Sequence, residues 1–335
     1  MTIGSLNTAV LALLTIAVAP GVEGFGLFVK EVASYLNRDG YDLTDFYFLH
    51  AVTDFIFDGA SIRRDNVIDT EGFEIRGRNP RDAIEKAAKA HPGVRGVLAV
   101  STSASLLPPR NLSRDDLRAN LKATLESSGL DGIHIVPDWH FISDDDPGLR
   151  ELSKIFEGLQ VKALDGTMKT IKISIEFPCD PDYMVKIQTD RTWNGTFDNL
   201  VCMITWGNPP HTGQPGEKAL TIHHAAEMGK AFVHLAGQQI KEKLVFSVQP
   251  VGLANRTTLW NSQKRLIEKG ADPTKEDSFV DPSDRETYYF YSLESIKQQY
   301  NFFKDEPVAG FMLDRPHLDV PPTNSKSLLS ALNAQ

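Results

Sequence analysis

The chain has 335 residues, of which 41% are hydrophobic, so it carries enough apolar material for a large core. Length alone suggests two domains, yet α/β barrels of this size occur as one. A net charge of −9 repels phosphate backbones and excludes nucleic acid as an expected partner, and no basic stripe opposes this.

In chain order, Ala9 to Ala19 comes first, an apolar run too short to span a bilayer comfortably. Val22 and Gly24 follow at the −3 and −1 positions of a small-residue cleavage site. Residues 1–24 therefore read as a signal peptide, which places the mature protein outside the cell. No Lys or Arg precedes the run, and the other reading is a buried first strand or helix. The triplets Asn111-Leu-Ser, Asn194-Gly-Thr and Asn255-Arg-Thr are glycosylation acceptors, consistent with secretion and with a glycoprotein. No second long apolar segment occurs, so no membrane span is expected. Two cysteines, Cys179 and Cys202, do not make a disulfide scaffold; they pair in an oxidising compartment or remain buried thiols.

The strand candidates are 25–29, 46–53, 96–101, 132–137, 171–177, 200–205, 244–248 and 309–313. Most are continuous apolar runs, the pattern of strands buried on both faces of a parallel sheet. Helices lie between them. Asn79-Pro80-Arg81-Asp82 starts one and His91-Pro92-Gly93 stops it. Ser113 caps the next, with Asp116 three residues on; Leu117, Leu121 and Leu125 share one face, and Gly129 ends it. Asp146-Pro147 opens a third with the stripe Leu152, Ile155, Phe156 and Leu159. Ser292 opens the last, with Leu293, Ile296, Tyr300 and Phe303. Eight strands alternating with helices predict a single (β/α)₈ TIM barrel over residues 25–335. The segment 54–78 is irregular, and 249–290 is longer than a crossover needs, which leaves room for a small insertion between strands seven and eight. An open doubly wound sheet should show a glycine-rich turn after an early strand, and Gly21, Gly24 and Gly26 have no strand before them.

Barrel sites lie at the C-terminal ends of the strands. The fourth candidate runs from Asp131-Gly132-Ile133-His134 through Ile135-Val136-Pro137 to Asp138-Trp139. Alternation puts Gly132, His134, Val136 and Asp138 on one face. Here the chain resembles glycoside hydrolase family 18, the chitinases and chitinase-like lectins, whose fourth strand reads D-G-x-D-x-D-x-E. Val97 to Ala104 is similar to the family's third strand, and Asn199 to Trp206, with Met203, to its sixth. Lys243 to Gly252 is similar to the seventh, and Tyr291 through Leu313 to the closing helix and eighth strand.

The resemblance implies binding of N-acetylglucosamine polymers, chitin oligosaccharides or related glycans, without cofactor or metal. It implies hydrolysis by a Glu general acid, with the substrate acetamide as nucleophile and an Asp two residues before the acid to orient it. The sequence departs from the pattern at those positions. Asp138 stands for the acid, Val136 for the orienting Asp, and His134 for the inner Asp. Thr205-Trp206 replace the sixth-strand Tyr-Asp, and Asp314 replaces the eighth-strand Trp that floors the sugar site. Shortening Glu to Asp withdraws the carboxyl by about 1 Å, a displacement that can cost about 10²-fold, and Val136 cannot hydrogen-bond an acetamide through its side chain. The reading is thus a glycan-binding barrel with weak or lost hydrolysis. The alternatives are an active hydrolase using Asp138, helped by Glu176 or His134, and a secreted barrel acting through unidentified protein partners. Candidate catalytic residues are Asp138, Glu176 and His134. Candidate substrate-binding residues are Asp131, Trp139, Met203, Trp206 and Asp314. Trp193 is a further stacking candidate. Asp144-Asp145-Asp146 lacks the glycine and distal Glu of a calcium loop, and His223, His224 and Glu227 lack a second His at zincin spacing.

Overall fold

The computed structural model describes residues 25–32, 52–63, 67–70, 80–90, 93–102, 114–137, 152, 154–179, 181–189, 195–204, 222–254 and 260–334. Eight strands form a closed parallel barrel. They are β1 (Gly26–Val32), β2 (Val52–Ile62), β3 (Arg95–Thr102), β4 (Gly132–Pro137), β5 (Lys172–Pro178), β6 (Asn199–Met203), β7 (Leu244–Val248) and β8 (Gly310–Asp314). Each pairs in parallel with the next, and β8 pairs with β1, which closes the ring and rules out the open sheet. The seam is tight: a Cβ on Gly310 would stand 2.3 Å from the Gly26 carbonyl oxygen.

Helices fall between these strands: α1 (Pro80–Ala90), α2 (Arg114–Ser128), α3 (Pro181–Thr189), α4 (Ile222–Leu235) and α5 (Leu293–Asp305). The capping signals predict α1, α2 and α5; α3 was not expected, and the start of the helix predicted from Asp146-Pro147 lies outside the described residues. Along α2, Leu117, Leu121 and Leu125 are completely buried, each contributing about 1.5–3 kcal/mol by leaving water. Asp115 and Asp116 sit in its first turn, where the helix dipole favours negative charge. The chain leaves α2 through Gly129 at φ +68°. The Ser292 hydroxyl caps α5 by accepting from the Ser295 amide at 3.0 Å.

The expected insertion between β7 and β8 is present. It is a four-stranded antiparallel sheet of Val251–Ala254, Trp260–Ser262, Ser278–Val280 and Thr287–Tyr289. A two-stranded hairpin, Gln160–Lys162 with Met168–Thr170, lies before β5 and was not expected from the pattern.

The second strand requires a correction. The apolar run predicts 46–53, whereas β2 runs from Val52 to Ile62, through the segment expected to be irregular; 46–51 lie outside the described residues. Asp54 and Asp58 read as loop signals in one dimension. In the fold, Asp54 forms an ion pair with Arg95 at 2.7 Å and accepts the Thr53 hydroxyl at 2.8 Å, while Asp58 sits just before a register shift in the pairing with β3. Partners distant in sequence thus compensate a charge that local reading counts against a strand.

The core has two shells. The larger lies between the sheet and the helices, with Phe246 stacked on Phe303 at 4.0 Å between ring centres. The smaller fills the barrel: Phe28, Ile56, Val97, Ala99, Val201, Val245 and Met312.

Candidate functional site at the mouth of the barrel

Above that apolar plug, toward the C-terminal ends of the strands, the inward positions become polar. Lys30 follows Phe28 on β1, Asp58 follows Ile56 on β2, and Asp314 follows Met312 on β8. His134, Glu176 and Ser247 come from β4, β5 and β7. The period of two that buries one set of side chains inside the barrel delivers the next set to its mouth.

Glu176 is the hub. It is 4% exposed. Its Oε2 accepts from Lys30 Nζ at 2.5 Å and contacts His134 Nε2 at 3.0 Å. A carboxylate only accepts, so His134 carries its proton on Nε2 and donates to Glu176. His134 Nδ1 then meets the Ser174 hydroxyl at 2.9 Å. Burial by itself would raise the Glu176 pKa. The Lys30 ammonium, then the His134 contact, outweigh burial and hold the carboxyl down at about 2. Lys30 is likewise disfavoured by burial, but Glu176, then Asp314 and Asp58, keep its pKa well above the usual lysine range. The pair is charged, desolvated and mutually dependent, the arrangement in which removing one partner costs about 3–5 kcal/mol.

Asp58 is half-buried, and burial raises its pKa against the opposing pull of Lys30. Asp314 is 3% exposed. Its Oδ2 accepts the Gln249 amide at 2.7 Å and lies 3.8 Å from Arg315 Nε. Its Oδ1 is buried and has no hydrogen-bond partner among the described residues. Arg315 adopts φ +57°, a left-handed conformation uncommon outside glycine.

The structure brings together His134, Glu176 and Asp314 of the sequence candidates, with Met203 at the end of β6 beside them. The Met203 carbonyl accepts from the Cys179 amide at 3.0 Å. Cys179 and Cys202 form a disulfide, which resolves the two readings of the cysteines and ties the end of β5 to β6 next to Glu176.

Asp131 is not brought to the mouth. It precedes β4, at the opposite end of the barrel, where Lys169 lies 3.6 Å away. The D-G pair that carries the resemblance therefore stands at the base of the strand, one strand length from the other candidates. Asp138, Trp139 and Trp206 lie outside the described residues, as do Trp193 and Asp144 to Asp146. Glu227 is exposed and pairs with Lys230 at 2.9 Å.

Sequence reasoning missed Lys30, Asp58, Ser174 and Gln249. The available signal was a lone charge two residues beyond an inward apolar residue: Lys30 after Phe28, and Asp58 after Ile56. Among the described residues, no group of three or more His, Cys, Asp or Glu is arranged to hold a metal ion, and no helix is long and apolar enough to cross a membrane. A cavity of about 870 Å³ opens at the N-terminal end of the barrel, lined by Asp54, Arg95 and Lys172 among others. Its Arg95–Asp54 pair is internal, and in this fold that end serves stability, not chemistry.

No protein-family model and no curated sequence matches the chain. Solved structures do match it in three dimensions. The family 18 chitinase ChiB of Flavobacterium johnsoniae is 14% identical, with a TM-score of 0.66 over 93% of both chains. Human YKL-39, described as a pseudo-chitinase with retained chitooligosaccharide binding, is 10% identical, with a TM-score of 0.65 over 93% of this chain and 99% of its own. The Group IV chitinase of Ostrinia furnacalis is 13% identical, with a TM-score of 0.64 over 92% of this chain and 99% of its own. The chain thus has the fold of the family 18 chitinases and chitinase-like proteins.

Proposed function

We propose that this protein is a chitinase-like carbohydrate-binding barrel for N-acetylglucosamine-containing glycans, with hydrolysis weak or lost. One observation carries the second half of that reading. Glu176, an inward carboxyl beside the expected catalytic strand, is ionised, buried and already accepts from two donors. A general acid must hold a proton at working pH and approach the leaving oxygen, and Glu176 does neither. Val136, at the position that would orient the acetamide, packs on the apolar plug. Both family 18 chitinases and a pseudo-chitinase with retained chitooligosaccharide binding share the fold, which supports a glycan as ligand. Secretion with removal of residues 1–24 belongs to the same reading, and the disulfide supports an oxidising compartment. N-terminal sequencing of protein released by a secreting host should begin at Phe25.

The test of function is a long incubation with N-acetylglucosamine oligomers, read by mass spectrometry. Intact oligomers, together with calorimetric binding of the same oligomers, are expected. Cleavage would overturn the loss of hydrolysis. If it vanished in Asp138→Ala, the acid would be Asp138; if it survived, Asp58 would be the next inward carboxyl to test.

A further inference from the structure

Among the described residues, carboxylates outnumber cations on the inward face of the barrel mouth, where Asp58, Glu176 and Asp314 stand with Lys30. Lys30 is committed to Glu176 at 2.5 Å. Arg315 approaches only Oδ2 of Asp314, at 3.8 Å, and is 40% exposed at its side chain. Asp58 and Asp314 share the pull of Lys30 with Glu176, and among the described residues no donor reaches Oδ1 of Asp314. Oδ1 is the sharper observation: it is a buried acceptor on a residue 3% exposed, on the inward face of β8, with nothing donating to it among the described residues. An acceptor in that state has given up its water without a replacement until a donor arrives. A hydrophobic floor at this place would suit the apolar face of any sugar ring. A carboxylate asks for a hydrogen-bond donor, and an ammonium is the strongest. At the same mouth, Val136 offers an acetamide no polar side chain.

We propose that the mouth selects amino sugars with a free amine, de-N-acetylated glucosamine units, over N-acetylated ones, through Asp314 with Asp58 in support. The proposal rests on the glycan-binding reading above and narrows its ligand. The ammonium donates to Asp314 Oδ1, and its charge completes the balance that Lys30 leaves open.

The experiment is calorimetry of the full chain with two probes, the glucosamine hexamer and the N-acetylglucosamine hexamer, at low and at high salt. The glucosamine hexamer should bind about tenfold or more tightly, the effect of one charge-assisted contact. That advantage should shrink at 1 M salt, where screening acts within about 3 Å. Asp314→Asn should abolish most of the preference, and Asp58→Asn should reduce it less. Equal binding of the two hexamers, tighter binding of the acetylated one, or a preference indifferent to both salt and Asp314→Asn would overturn the proposal and leave glycan binding standing. Binding of neither hexamer would overturn the glycan reading itself. The salt series needs no variant, so a misfolded Asp314→Asn protein would not spare the proposal.

Discussion

At the scale of the residue, Glu176 decides how the mouth behaves. Glu176→Gln leaves the Lys30 ammonium buried without its counter-charge, so unfolding free energy should fall by about 3–5 kcal/mol in urea denaturation. The double variant Lys30→Met with Glu176→Gln should recover part of that loss, because it removes both desolvated charges. A double variant no more stable than Glu176→Gln alone would show that the ammonium is not the source of the loss. The pH dependence has a definite sign. Glu176 is held at about 2, below its ordinary 4.5, so its contribution is fully present above pH 4.5. It disappears as pH falls toward 2 and the native state must take up a proton. Acid titration of stability should therefore be flatter between pH 4.5 and 2 in Glu176→Gln than in the parent. Parallel curves would place the shift elsewhere.

Elements hold these residues in place by two means. The first is the apolar face of each crossover helix. Leu121, completely buried in the middle of α2, anchors the helix behind β3 and β4. Leu121→Ala should cost about 2–5 kcal/mol, read as a shift in denaturation midpoint at unchanged slope. The second is the Cys179–Cys202 bridge, which closes a loop of sequence separation 23 between β5 and β6. Chain-entropy arithmetic for such a loop gives about 3 kcal/mol. Replacing both cysteines by Ser should lower stability by that order and leave the barrel's circular dichroism intact. Elements were also where local reading served best. The leucine stripe of α2, the Ser292 cap and the β4 and β7 spans stand as their periodicity predicts, because each depends on residues within one or two turns of one another. The β2 boundary failed for the opposite reason: the partners of Asp54 and Asp58 are Arg95 and Lys30, far away in sequence.

Closure is the property of the whole molecule on which the site depends. β1 and β8 join the two ends of the chain, and Lys30 stands in register with Asp314 across that seam. Gly310 has no room for a side chain there, since an added Cβ would meet the Gly26 carbonyl and the Phe28 ring. Gly310→Val should pry β1 from β8, destabilise the fold by about 3 kcal/mol or more through overpacking, and weaken glycan binding along with it. A thermal melt together with hexamer calorimetry would check both, and a variant as stable as the parent would mean that the seam yields. The sequence by itself determined the barrel, its helices α1, α2 and α5, and the insertion between the seventh and eighth strands. Each of these follows from apolar periodicity and turn chemistry, which are local. The tertiary structure alone decided which charges face one another. Lys30, His134, Glu176 and Asp314 come from four strands spread along the whole chain, and only ring closure sets them within a hydrogen bond or two of one another. Burial then fixed their protonation, because the cost of a desolvated charge depends on its neighbours in space and not on its neighbours in sequence.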